Sequence, residues 1–250
     1  NILSDGANII LQADNSITIA AGGILDSRDL DGGGASEGNS GNITVQAPKI
    51  LLGDGSQVLA AATTGSGFAG GDILLEAIRT GGGLSEIILG QATGTAPVIT
   101  GRDITLTASS THDTASLLVA LPIAKAHITI NSANITASGA LNATATAQAS
   151  GGLIALPLGV VVTNVEAVVD VKGASVIAAD SMKLLSSATA ISRVLTESLA
   201  PANAKADGAV AISTVNSTAI ARIGDTADVN VTNALELEAG NTIVSTANAT

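Results

Sequence analysis

Residues 41–60 read GNITVQAPKILLGDGSQVLA, two alternating apolar runs parted by Gly53-Asp54-Gly55. Ile43, Val45 and Ala47 fall two residues apart, which puts all three on one face of a β-strand. The same three-point pattern fits Ile9-Leu11-Ala13, Ile73-Leu75-Ala77 and Ile104-Leu106-Ala108. It continues more loosely at Leu141-Ala143-Ala145, Met182-Leu184-Ser186 and Leu235-Leu237-Ala239. The seven copies are separated by 34, 30, 31, 37, 41 and 53 residues, and the first four follow Asn8, Asn42, Asp72 and Asp103.

Shorter alternating runs lie between the copies, as at Ile17-Ile19, Ile128-Ile130, Val169-Val171 and Val229-Val231, with Gly-rich turns such as Gly81-Gly82-Gly83. One strand type recurring at long intervals predicts a coil whose equivalent strands pair in parallel from turn to turn. The expected fold is therefore all-β: a parallel β-helix (β-solenoid), elongated into a rod or fibre segment. Side chains shrink from Ile to Ala along the pattern, which predicts a tight corner at the strand end. The Asn and Asp at the strand starts predict stacked side-chain hydrogen bonds. A β-sandwich would show hairpin turns every 8–12 residues and no single recurring strand. A helical period occurs only from Asp180 to Ala200, where Leu184, Ala188, Ile191, Leu195 and Leu199 precede Pro201. A short helix or loop insertion is the alternative there.

The 250 residues are 46 % hydrophobic, but nearly all of this is Ala, Val, Ile and Leu. Phe68 is the one aromatic residue and Met182 the one methionine. Enzymes of this size use many aromatics for buried area and ligand platforms; small and β-branched residues suit thin, regularly stacked layers. The net charge of −11 excludes the basic patches that nucleic acid and anionic membranes require. The chain has no cysteine, which removes disulfide and zinc–thiolate frameworks. The longest apolar run, GGLIALPLGVVVT at 151–163, is too short to span a membrane and contains Pro157, so it predicts a buried strand region. The chain opens on Asn1 in mid-pattern, with no signal peptide, as an internal piece of a longer protein would. Twenty of the 28 glycines lie at or before Gly101, and this shift divides the chain into Gly-rich repeats at 1–101 and Ala/Val-rich repeats at 102–250 without a linker. The second part carries its own repeated phrase, Leu118-Val119-Ala120-Leu121-Pro122-Ile123 and Leu153-Ile154-Ala155-Leu156-Pro157-Leu158.

The phrase GNITVQAPKILLGDGSQVLAAATTGSGFAGGDI (41–73) resembles the repeats of filamentous-haemagglutinin-like surface proteins, long adhesins of Gram-negative bacteria and cyanobacteria. The resemblance covers residues 1–108. The Ala-rich stretch AKAHITINSANITASGALNATATA (124–147) is similar to the degenerate repeats of giant bacterial surface proteins of the same kind. The resemblance implies a right-handed parallel β-helix, export across the outer membrane and a role in adhesion or in an extracellular fibre.

Chemistry is sparse. In the acidic loop 26–38 (DSRDLDGGGASEG), Asp29, Asp31 and Gly32 match the third, fifth and sixth positions of a calcium loop. Ser27 and Gly38 occupy the first and twelfth, where acidic ligands belong, and Glu37 falls one residue early. A solvated acidic loop is the better reading and weak calcium binding the alternative. His112-Asp113 reads as a loop between strands and His127 as a strand start, with no Gly-x-Ser-x-Gly elbow to supply a nucleophile. The triplets at 32–34 and 81–83 lack the Gly-Lys-Ser/Thr of a phosphate loop. Polysaccharide-cleaving β-helix enzymes group carboxylates with a base on one face. Neither outward column of the recurring strand does so: Ile10, Thr44, Leu74, Thr105, Asn142, Lys183, Glu236 in one, and Gln12, Gln46, Glu76, Thr107, Thr144, Leu185, Glu238 in the other.

The sequence thus predicts no catalytic, cofactor or metal residues. It predicts a stalk segment of a bacterial surface adhesin on the outside of a Gram-negative cell. Its partners would be further repeats of the same protein, other copies of itself, or host, neighbouring-cell or matrix surfaces, because uncapped strand edges require a cover. A self-assembling filament or sheath subunit is the alternative, and a polysaccharide-degrading enzyme a more distant one.

Overall fold

The structure is a computed structural model that describes residues 1–29, 39–62, 69–116, 118–154, 157–198, 208–224 and 226–250. The first third holds short strands: β1 (Ile2–Leu3), β2 (Ile9–Gln12), β3 (Ser16–Ile19), β4 (Ile24–Asp26), β5 (Ile43–Gln46), β6 (Lys49–Leu52) and β7 (Gln57–Leu59). Strands then lengthen through β8 (Ile73–Thr80), β9 (Gly83–Leu89), β10 (Val98–Gly101), β11 (Ile104–Ser116), β12 (Val119–Ala120), β13 (Ile123–Asn131) and β14 (Asn134–Ala137). The longest follow: β15 (Ala140–Ile154), β16 (Leu158–Lys172), β17 (Val176–Thr196), β18 (Val210–Ile223) and β19 (Asp228–Ala249).

The recurring strand pairs with itself in parallel and in register, as its spacing predicts. Ile9 lies opposite Ile43, Ile43 opposite Ile73 and Ile73 opposite Ile104. Ile104 then meets Leu141, Leu141 meets Met182 and Met182 meets Leu235. Each inward side chain therefore sits on an equivalent one, and Ile43, Leu75, Leu106 and Leu141 are all fully buried or within a per cent of it. The expected tight corner after the small residue forms only in the first two copies, at Ala13 before β3 and Ala47 before β6; β8, β11, β15, β17 and β19 run on past Ala77, Ala108, Ala145, Ser186 and Ala239.

The overall architecture differs from the expected elongated right-handed parallel β-helix (β-solenoid). The larger sheet is a nearly closed parallel barrel of eleven strands, ordered β1-β4-β7-β10-β14-β17-β15-β11-β8-β5-β2, with β19 added on β17. A second parallel sheet runs β12-β16-β13-β9-β6-β3, with β18 on β16. The departure has a physical cause in the corner between β-rows. The chain between β7 and β8 is long, but only Arg102 and Asp103 separate β10 from β11, and only Ser138 and Gly139 separate β14 from β15. In β17 the corner disappears. Its first residues pair with β14 and the rest with β15, so two rows of strands fuse into one sheet that turns back on itself; against β19 the pairing shifts register between Ala179 and Ser181. Such a shift bends a paired strand without breaking it.

Both sheets share one core that includes Ile50, Leu52, Ile87, Ile128 and Val169 from the second sheet, and it is continuous across residues 101–102. A satellite cluster of Ala120, Leu153, Val161 and Val194 lies where the long strands overhang. Ser192, Ser213 and Ser245 form a hydroxyl chain across this region, at 2.6 and 2.7 Å. The segment with helical spacing is strand: β17 alternates inward Met182, Leu184, Ala188 and Val194 with outward residues. Leu199 and Pro201 lie outside the described residues, as does Phe68. The run 151–163 is not buried on both faces: Val161 and Thr163 point inward, while Leu158 is 49 % exposed.

Glycine is required where layers approach closely. A Cβ on Gly71 would collide with the Gly41 carbonyl oxygen, and one on Gly41 with that of Ala7. Leu106→Ala, in the middle of the column, is expected to cost about 2–5 kcal/mol, whereas Ile10→Ala, 64 % exposed on the end strand, is expected to stay within about 0.5 kcal/mol. Denaturant unfolding followed by circular dichroism measures both.

Candidate functional site

The outward faces carry three polar ladders. At the strand starts, Asn8 Oδ1 accepts the Asn42 N–H at 2.8 Å, and Asn42 Oδ1 accepts the Asp72 N–H at 2.8 Å. Asp72 Oδ1 lies 3.4 Å from the Asp103 nitrogen, and Asp103 Oδ1 accepts the Ala140 N–H at 2.7 Å. The side chains stack as their recurrence predicts, but each bonds the next strand's backbone rather than the next side chain. An Asx oxygen thereby satisfies an amide at a corner, where the sheet ladder is interrupted. Arg102 joins the ladder through a bidentate pair with Asp72, at 2.6 and 2.8 Å.

The second ladder runs from Gln12 to Gln46 to Glu76, with Gln46 Nε2 donating to Glu76 Oε2 at 2.7 Å. It borders a groove of about 500 Å³, lined by polar and apolar groups alike, that also meets Asp14, Pro48 and Ile78.

The third covers the second sheet with charge. Lys49 and Glu86 pair across β6 and β9 at 2.8 Å, and Lys125 and Glu166 across β13 and β16 at 2.9 Å. His127 lies opposite Glu86, with its Nε2 3.5 Å from Glu166 Oε1, too long for a good hydrogen bond. Beyond it, Asp170 is held by Arg222 at 2.7 Å and Lys172 at 3.3 Å. Burial pushes the His127 ring below the ordinary histidine range, against the opposing pull of Glu166 and Glu86. The Lys125 ammonium holds the Glu166 carboxyl below its usual range, and the Arg222 guanidinium does the same for Asp170. Among the described residues of this face, Lys49, Glu86, Lys125, Glu166, Asp170 and Arg222 each have an ion-pair partner on the adjoining strand, and Lys172 has Asp170 on its own.

His112 lies inside β11, not in a loop, and His127 lies in the middle of β13, not at its start. The Ile123 N–H donates to His112 Nδ1 at 2.9 Å, which leaves the proton on Nε2 to donate to Thr114 Oγ1 at 2.9 Å. Both ring nitrogens are engaged, so His112 pins β11 to β13 rather than serving as a base. The ring packs against Gly82 of the Gly81-Gly82-Gly83 turn, whose three residues have φ of 83°, 90° and 97°. That left-handed run explains the triplet as a turn.

In the loop 26–38, Asp26 is chelated by the Arg28 guanidinium at 2.6 and 2.8 Å, and the buried Ser27 hydroxyl donates to the Gly41 carbonyl at 2.7 Å. Burial alone would raise the Asp26 carboxyl, but the Arg28 bonds hold it below its usual range. Asp31, Gly32, Glu37 and Gly38 lie outside the described residues, with the 32–34 triplet. Among the described residues no group of three or more His, Cys, Asp or Glu is placed to hold a metal ion. Among the described residues no helix is long and apolar enough to cross a membrane.

One grouping escaped the column-by-column reading because it spans both columns. Lys183 bonds Glu236 at 2.8 Å, with Glu238 at the next outward position of β19. The Glu236 carboxylate raises the lysine's affinity for its proton, so Lys183 stays charged and cannot act as a general base near neutrality. A second, largely apolar groove of about 550 Å³ crosses the overhang, lined by Leu153, Val194, Leu195 and Val244 with Arg193 at its rim.

Among known proteins, no family model, no curated protein and no solved structure matches this chain.

Two outcomes follow from the ladders. Asn42→Ala orphans the Asp72 amide and should cost about 1–2 kcal/mol, read by denaturant unfolding against Asn42→Asp. Because the folded chain binds a proton at His127 less readily than the unfolded chain, stability should fall as pH drops below the ordinary histidine value of 6.5. It should fall again through the carboxylate range as Glu166 and Asp170 protonate. His127→Gln should flatten the first decline and leave the second, as measured by unfolding midpoints across pH.

Proposed function

We propose that this chain is a structural segment of an extracellular bacterial surface adhesin, a rigid all-β spacer that holds an attachment surface away from a Gram-negative cell. The observation that carries the reading is the unbroken in-register column from Ile9 to Leu235, backed by one continuous core. A chain whose interior repeats the same residue layer after layer resists bending, since any tilt separates stacked side chains all along the column. Outward charges engaged with one another, as in Lys49–Glu86 and Lys125–Glu166, suit a solvated shaft. The resemblance of residues 1–108 to filamentous-haemagglutinin-like repeats points the same way.

A second reading, a subunit that self-assembles into a filament or sheath, is favoured by two strands that pair on one side only, β19 and β1. Leu235 and Leu237 occupy inward column positions on β19, yet are 49 % and 43 % exposed, and Ile2 and Leu3 are exposed at the other end. Parallel edges of this kind accept a further strand from another chain.

Antibody raised against the chain should label intact cells of the source bacterium, and brief external proteolysis should remove the label. Label that appears only after permeabilisation overturns the surface reading. Negative-stain microscopy of the purified chain decides the second: growing end-to-end fibres support it, and uniform short particles at every concentration reject it.

A further inference from the structure

The ladder from Gln12 to Gln46 to Glu76 has no part in the spacer reading. The groove beside it arises from strands of unequal length. β2 ends at Gln12 and β5 at Gln46, and the chain then turns away through Asp14 and Pro48 into β3 and β6. β8 instead runs on to Thr80, so Ile78 stands where its two shorter neighbours have left the sheet, 46 % exposed. The step leaves a groove of about 500 Å³ bordered by the ladder, Asp14, Pro48 and Ile78. Its size falls in the range of small-ligand sites.

The ladder's polarity is fixed by its last member. Glu76, as a carboxylate, only accepts hydrogen bonds, so Gln46 must turn its Nε2 toward it. Gln46 Oε1 is then left to accept from Gln12 Nε2. Each amide is held in one orientation and keeps one N–H unused among the described residues, while Gln12 Oε1 and Glu76 Oε1 remain as acceptors. The groove thus offers two donors and several acceptors in a row, one strand separation of about 4.8 Å apart. Beside them lies the apolar surface of Pro48 and Ile78, and no lysine, arginine or aromatic residue lines the groove.

We infer that this groove binds a neutral polyhydroxyl ligand, a pyranose unit of a glycan. A carboxylate or phosphate would face Asp14 and Glu76 with no cation to offset them. An ammonium group would satisfy the carboxylates but meet the two amide N–H groups as well. An apolar ligand would strip water from the ladder without replacing its hydrogen bonds. A sugar hydroxyl both donates and accepts, so neighbouring hydroxyls match the mixed row. The C–H face of the ring fits against Pro48 and Ile78. Without an aromatic platform, the dissociation constant is expected to be on the order of millimolar. The groove is defined by its own residues and is independent of where the protein resides.

The test is titration of the full, isotope-labelled chain with maltohexaose, cellohexaose and mannohexaose, with putrescine and tetraglycine as comparators. The readout is the pair of side-chain amide signals of Gln12 and Gln46 in proton–nitrogen correlation spectra. At least one hexaose should shift both signals saturably. Glu76→Ala and Ile78→Asp, each with an unchanged circular dichroism spectrum, should weaken that binding at least about tenfold. Gln148→Ala, outward on β15 and away from the groove, should leave it unchanged. The inference is overturned if no hexaose saturates the two signals, or if binding survives both groove variants. It is equally overturned if putrescine or tetraglycine binds more tightly than every hexaose.

Discussion

Register is the constraint on which the structure depends. In a parallel ladder each residue stands beside its equivalent on the next strand, so a slip of one residue would turn every inward side chain of that strand to solvent. The Ile9–Ile43–Ile73–Ile104–Leu141–Met182–Leu235 column holds that register across strands that grow from four residues to twenty-two. The corners enforce it. Asn8, Asn42, Asp72 and Asp103 each reach the backbone of the next layer at the same place. Gly41 and Gly71 let those corners stack without a Cβ between them.

Lengthening the strands changes the kind of object the repeats build. Short strands leave room for a corner between rows, and rows so separated stay distinct. Once β17 runs unbroken through the former corner, the rows on either side belong to one hydrogen-bonded sheet, and the sheet must curl to keep its inward face on the core. The same lengthening carries the strands past the main core. It creates the overhang where the serine chain, the satellite cluster and the uncovered apolar face are found. The Gly-rich and Ala-rich halves of the sequence thus correspond to two regimes of strand length around one core.

Several titratable groups on the polar faces are engaged with one another. Glu86 and Glu166 flank His127, yet each already has a lysine partner. Lys183 is held charged by Glu236. His112 uses one nitrogen on a backbone amide and the other on Thr114. Groups of these types become catalytic when a neighbour is missing or a proton is poised to move. Here the adjacent strand supplies the neighbour.

The period-two spacing of Ile, Val/Leu and Ala, with Asn or Asp before it, was enough by itself to determine the recurring strand, its parallel partners and their register, because alternation and repetition are local properties that survive without knowledge of the whole. Gly-rich corners and the strand character of most of the chain were legible for the same reason. The sequence did not determine how the rows close. β17 runs on through the corner that separates β14 from β15, and the alternation before and after that point looks the same whether a chain bends or breaks. Nor could pattern alone assign His112 to a strand interior or leave Leu158 and Val210 exposed. Those facts depend on which strand lies alongside which, 41 to 53 residues away in the chain, and only the tertiary structure makes that choice.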